Sequence, residues 1–149
     1  MLGIVIVTHG SLSEGLKSAA EVIIGGTNNM VTESLFQGDD VQALGAKITK
    51  AIEQVDQGDG VIVFTDIASA SPYNQSLLAV NQLDAEKQKQ IAIIAGVNLP
   101  MLLEGINHQL LSTPITAIPA AIMSQAGVSF DYWTVDKRVE DEEDEDDGF

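Results

Sequence analysis

Short apolar runs alternate along this chain with stretches in which apolar positions recur every three or four residues. The first run, Gly3–Val7, is uncharged and β-branched from Ile4 onward, as a strand covered on both faces requires. Met30–Phe36 reads as a second strand, and Val61–Thr65 and Ile91–Ala95 are again continuous and apolar. Between them lie helical patterns. Leu12, Leu16, Ala19, Ala20 and Ile23 share one face that closes at Gly25-Gly26, and the capping box Ser11-x-x-Glu14 marks the start of that helix. Val41, Leu44, Ile48, Ile52 and Val55 form a second face behind the turn "QGDD", with Asp39 or Asp40 as N-cap. Pro72 to Leu83, Pro100 to Leu110 and Ile118 to Gln125 complete the helical segments, and the aromatic, alternating Phe130–Val135 reads as a late edge strand.

Alternating strands and helices with doubly apolar strands predict an α/β fold. The expected form is an open, doubly wound sheet of four parallel strands with helices on both faces, plus the C-terminal edge strand. The chain is too short for an eight-fold barrel and contains no internal repeat. One domain over residues 1–136 and an acidic tail over 137–149 are therefore expected.

Charge sharpens this division. The 149 residues carry a net charge of −15, and more than half of it comes from the unbroken acidic run at 140–147. Such a run repels itself, which predicts a solvated, unstructured tail. The seven Lys and Arg residues are scattered and form no basic stripe, so nucleic-acid binding is excluded. There is no cysteine, hence no disulfide framework and no thiolate nucleophile or ligand. No segment approaches the roughly 20 apolar residues of a membrane span. The N-terminus has no basic region ahead of an apolar one, which leads to the expectation of a cytoplasmic protein.

Candidate chemistry lies where the strands end. In "IVIVTHGSLSEG", residues 4–15, a buried strand runs into His9 at the turn that starts a helix. In "TDIASASPYN", Asp66 follows the third strand, and small residues lead to Ser71-Pro72, an N-cap followed by a proline at the first helical position. In doubly wound sheets such ends converge where the strand order reverses. A carboxylate there fixes the imidazole tautomer and leaves the second ring nitrogen as a nucleophile. The helix amides beside Ser71 suit a phosphoryl group. The chemistry that fits is reversible phosphoryl transfer through a phosphohistidine. His108, at the end of a helix, is read as structural, and Tyr132 and Trp133 as packing or interface residues. No motif for a P-loop, a nucleophile elbow or a metal cluster is present, so neither a cofactor nor a metal is expected.

"IVIVTHG", "GVIVFTDIASASPYN" and "IAGVNLPMLLE", in this order and spacing over Met1 to about Gly127, resemble the enzyme IIA component of the mannose/fructose/sorbose branch of the bacterial sugar phosphotransferase system, the PTS. The resemblance implies that His9 accepts a phosphoryl group from the phosphocarrier HPr and passes it to enzyme IIB, which serves a membrane IIC/IID complex. It also implies that Asp66 orients His9, that Ser71 contacts the phosphoryl oxygens, with Thr8 and Ser69 as further phosphoryl-binding residues, and that the protein is a homodimer. In some members a C-terminal strand crosses to the partner's sheet, and "FDYWTV" is the candidate here. Where relatives often carry glycines before the Ser-Pro pair, this chain has Ala68-Ser69-Ala70. No IIB domain follows, so IIB is expected on a separate polypeptide. The alternatives are a phosphocarrier for a PEP-dependent dihydroxyacetone kinase and a non-catalytic domain that senses a phosphorylated ligand.

Overall fold

A computed structural model describes residues 1–147. Four parallel strands form one open sheet in the order β2-β1-β3-β4, with β1 at Gly3–His9, β2 at Met30–Leu35, β3 at Val61–Thr65 and β4 at Ile91–Ile94. Among the described residues seven α-helices surround or follow it: α1 Leu12–Ile24, α2 Val41–Val55, α3 Ser71–Asn81, α4 Ala85–Gln88, α5 Leu99–Leu111, α6 Ile118–Gly127 and α7 Val135–Asp147. A 3-10 turn at Ile115–Ala117 leads into α6, and the brief α4 was not foreseen from the sequence.

The doubly apolar strands divide cleanly by parity, because successive side chains point to opposite faces of a sheet. Ile4, Ile6, Ile62 and Phe64 pack with Leu16 and Ala20 of α1, Leu102 and Ile106 of α5 and Ile118 and Ile122 of α6. Val5, Val7, Val61 and Val63 pack with Leu44, Ile48 and Ile52 of α2 and Ala79 of α3. Helices thus cover both faces, as expected. The strand order reverses between β1 and β3, which puts the ends of these two strands at the switch point of the fold.

Several local expectations are corrected. Phe130 to Thr134 form no strand, and the sheet has four strands among the described residues. Alternation specifies two faces but supplies no neighbouring edge; here Lys137 instead bonds Asp131 Oδ1 and the Tyr132 carbonyl, both at 2.6 Å, and folds the segment on itself. The acidic run is helical: α7 spans the expected boundary at 136/137. Its first turn is held by the Thr134 hydroxyl, which accepts from the Lys137 N–H, and by an i,i+4 pair of Arg138 and Glu142. The last two tail residues, 148–149, lie outside the described residues. On α1, Leu12 and Ile23 are exposed while Ser13 is buried, so the face turned to the sheet is narrower than the spacing implied.

Candidate functional site

The site begins with β1, which runs two residues further than the sequence pattern alone implied and carries His9 out of the sheet. His9 pairs with Leu35 of β2, and the next N–H, that of Gly10, donates to the Leu35 carbonyl at 2.8 Å. Gly10 then turns the chain at φ +56°, a left-handed conformation that costs a residue without a Cβ little. On the other side stands Asp66, one residue past β3. Its Oδ2 accepts from the His9 backbone N–H at 2.9 Å and from His9 Nδ1 at 2.8 Å, while Oδ1 accepts from the Ile67 N–H at 3.0 Å. The carboxylate takes over the role of a ladder acceptor where β3 has already ended.

These contacts fix the chemistry of both groups. The Asp66 side chain is only 9% exposed, whereas that of His9 is 45% exposed. Burial pushes the Asp66 carboxyl up, but the backbone N–H, the imidazole hydrogen bond and the imidazole charge of His9 outweigh it and hold the carboxyl below its ordinary value. An ionised Asp66 requires a proton on Nδ1, which leaves the lone pair of the neutral ring on Nε2. Nε2 is therefore the ring nitrogen whose lone pair this contact leaves free.

The other expected residues fall into distinct places. Ser71 opens α3 as its first residue, and Ala70, not Ser71, is the N-cap. Ser69 takes up φ +63° without being a glycine, and its carbonyl accepts from Asn74 Nδ2 at 3.2 Å. The Ala68-Ser69-Ala70 loop thus reaches a left-handed conformation that glycines adopt more easily. Of the four helices that directly follow strands, α2 and α5 are capped by the side chains of Asp40 and Asn98. Neither α1 nor α3 is capped by its own N-cap residue, and these two follow His9 and Asp66. The uncapped first turn of α3 keeps its N–H groups and positive dipole end for an anion.

Thr8 is a correction. It is fully buried, and its Oγ1 accepts from the Ser13 N–H at 2.8 Å, so its hydroxyl does not face a ligand at the surface. The same bond replaces the expected capping box, because Thr8 rather than Ser11 takes up the amide in the first turn of α1. His108 sits near the C-terminus of α5 with Nδ1 against Thr113 Oγ1 at 2.9 Å, consistent with a structural residue. Among the described residues, no group of three or more His, Asp or Glu is placed to hold a metal ion.

Apolar residues missed in the sequence surround this edge. Leu12 follows the His9 turn, Phe36 follows β2 and Ile67 follows Asp66, and all three are exposed. By spacing Leu12 belongs to a helix face and Phe36 to a strand, and periodicity gives no sign that an end residue of such an element faces solvent.

Comparison with known proteins gives a consistent result. The profile of the family described as "PTS system fructose IIA component" matches residues 3–123. The chain is 34% identical over 104 residues to the fructose-specific EIIA component of the PTS of Bacillus subtilis, covering 70% of this chain and 68% of that one. It is 32% identical over 103 residues to the mannose-specific EIIAB component of Escherichia coli, covering 69% of this chain but 30% of that longer protein. The fold superposes on the crystal structure of a phosphotransferase system EIIA from Streptococcus agalactiae with a TM-score of 0.77 at 22% identity, covering 89% and 97% of the two chains.

Proposed function

From the premise that this chain belongs to the PTS fructose IIA component family, we propose that it is a phosphocarrier in which His9 accepts a phosphoryl group from phospho-HPr and passes it to an enzyme IIB. The observation that carries this reading is the double hydrogen bond from His9 to Asp66 Oδ2. It holds the ring by its backbone and by Nδ1 at once, and leaves Nε2 toward solvent as the attacking atom.

The step balances without a cofactor. The Nε2 lone pair forms a bond to phosphorus as the P–N bond of the donor histidine breaks and its electron pair returns to that nitrogen. Nδ1 keeps its proton, so the phosphorylated ring becomes cationic and Asp66 compensates the charge. The N–H groups of the first turn of α3 and the Ser71 hydroxyl receive the phosphoryl oxygens. Delivery to IIB is the same displacement in reverse, with a histidine of IIB as the nucleophile.

The exposed Leu12, Phe36 and Ile67 serve as the docking collar for both protein partners. Residues 1–136 act as the IIA domain, in the cytoplasm, where HPr and IIB meet it; among the described residues no helix is long and apolar enough to cross a membrane. Two copies pair through exposed apolar residues, among them Val22, Ile23, Leu111 and the segment containing Trp133. The membrane IIC/IID complex receives the phosphoryl group only through IIB.

The test is incubation with phosphoenolpyruvate, enzyme I and HPr, followed by intact mass. Wild type should gain one acid-labile phosphoryl group, about 80 Da, and lose it on addition of a IIB. His9→Ala should remain folded and gain nothing. Equal incorporation in His9→Ala, or none in wild type beside phosphorylated HPr, would overturn the proposal.

A further inference from the structure

We infer that Thr8 is a positioning residue for His9, acting through hydrogen bonds that link Thr8, Ser13 and Ser34 and fix the turn on which the imidazole stands. This rests on the phosphocarrier reading of His9. Thr8 pairs with Ser34 of β2 and is fully buried at the last β1 position before His9. Its Oγ1 accepts from the Ser13 N–H at 2.8 Å, closing the turn from Thr8 to Ser13 that contains His9 and Gly10. Ser13 is fully buried as well, and its Oγ lies 3.0 Å from Ser34 Oγ, which returns the chain of contacts to β2.

The turn is thus tied to β2 twice, through the Ser13–Ser34 hydroxyls and through the Gly10 N–H on the Leu35 carbonyl. Asp66 holds His9 only from the β3 side. Alignment of the ring with Asp66 requires that the backbone N–H of His9 and its Nδ1 reach one oxygen together. That condition is sensitive to any rotation of the turn, and the Thr8 bond is the buried contact that opposes such rotation. A residue with a hydroxyl at position 8 is needed, because an aliphatic one leaves the Ser13 N–H buried without an acceptor, and the turn must shift to satisfy it.

The test compares Thr8→Val, of nearly the same shape, with Thr8→Ser, which keeps the acceptor. The readouts are the imidazole nitrogen NMR shifts of His9 in the neutral ring and the initial rate of phosphoryl transfer from phospho-HPr. In wild type the neutral ring carries its proton on Nδ1. Thr8→Val should mix the two tautomers and lower the rate about tenfold or more, since small misplacements at a reacting centre carry large rate costs. Thr8→Ser should restore both. If Thr8→Val does not fold, Ser34→Ala, which removes the far hydroxyl of the chain, should shift both readouts in the same direction by less. A folded variant with the wild-type tautomer or the wild-type rate would overturn the inference. Should wild type itself take up no phosphoryl group, the phosphocarrier reading fails, and the tautomer comparison alone still decides on Thr8.

Discussion

Val7 pairs with Thr65 across the β1–β3 ladder, so Asp66 leaves the sheet one residue beyond that pair while β1 continues two residues beyond it to His9. The stagger lets a side-chain carboxylate meet a backbone N–H and a ring nitrogen of the same residue. Asp66→Asn keeps the shape but removes the charge that, on the phosphocarrier proposal, balances the phosphorylated ring. The transfer rate should fall on the order of a hundredfold, the scale of losing one preorganised electrostatic contact. Because the Asp66 carboxyl is held below its ordinary value, its contribution to stability is complete above that value and is lost as pH falls through the lowered one. The Tm difference between wild type and Asp66→Asn should therefore be constant near neutrality and shrink below about pH 4. A difference that widened in acid would contradict this assignment.

Glu33 on β2 behaves in the opposite sense. Burial raises its carboxyl above the ordinary value, and Lys47 and Lys50 of α2 only partly offset this. The folded protein then binds a proton more readily than the unfolded chain, so the charge at position 33 costs stability at neutral pH and the cost disappears as pH falls through the raised value. Glu33→Gln should raise Tm at pH 7 and have a diminishing effect toward pH 4. Thermal melts across that range measure it, and a lower Tm at pH 7 would refute it.

Gly58 and Gly60 separate backbone strain from crowding. Both are left-handed, at φ +91° and +94°, but a Cβ on Gly58 meets nothing within 4 Å, whereas one on Gly60 lies 2.8 Å from Ile115 Cβ and 3.0 Å from the Gln90 carbonyl. Gly58→Ala should cost about 1 kcal/mol, the penalty of that conformation alone. Gly60→Ala should cost about 3 kcal/mol, with overpacking added. Urea unfolding of the two variants gives the comparison, and equal losses would mean that Ile115 yields without resistance.

Trp133 is the one tryptophan of the chain and is 65% exposed in the isolated molecule. If two copies pair through the segment that holds it, its fluorescence should shift to shorter wavelength as concentration rises, in step with a doubling of the mass seen by light scattering. A mass that doubles with unchanged emission would leave the dimer but exclude this segment from its interface.

The elements readable in the sequence were those whose cause is local or doubly determined. Val61–Thr65 was bounded to the residue because its apolar run has a break at each end, and Asp40 caps α2 from within the turn that named it. His9 and Asp66 were legible for the same reason: each is the polar residue that ends, or directly follows, a buried strand. What escaped depended on partners far along the chain. Ser11-x-x-Glu14 is a sound local cap, yet the buried Thr8 hydroxyl reached the first turn of α1 instead. The alternation of Phe130–Val135 describes a strand, yet the segment folds on Lys137 and joins neither β2 nor β4, the two edges of the sheet. Self-repulsion of the acidic run argues against a helix, but Thr134, Lys137 and Arg138 start one ahead of it.

His9 and Asp66 are 57 positions apart, and their contact closes only when β3 has docked beside β1. A nascent chain that has just emerged already displays the imidazole, but without the carboxylate that sets its proton and its aim. Reactivity therefore arrives together with the completed sheet. On the phosphocarrier proposal, a half-made copy then competes poorly for the donor, and the phosphoryl groups go to finished molecules rather than to their precursors.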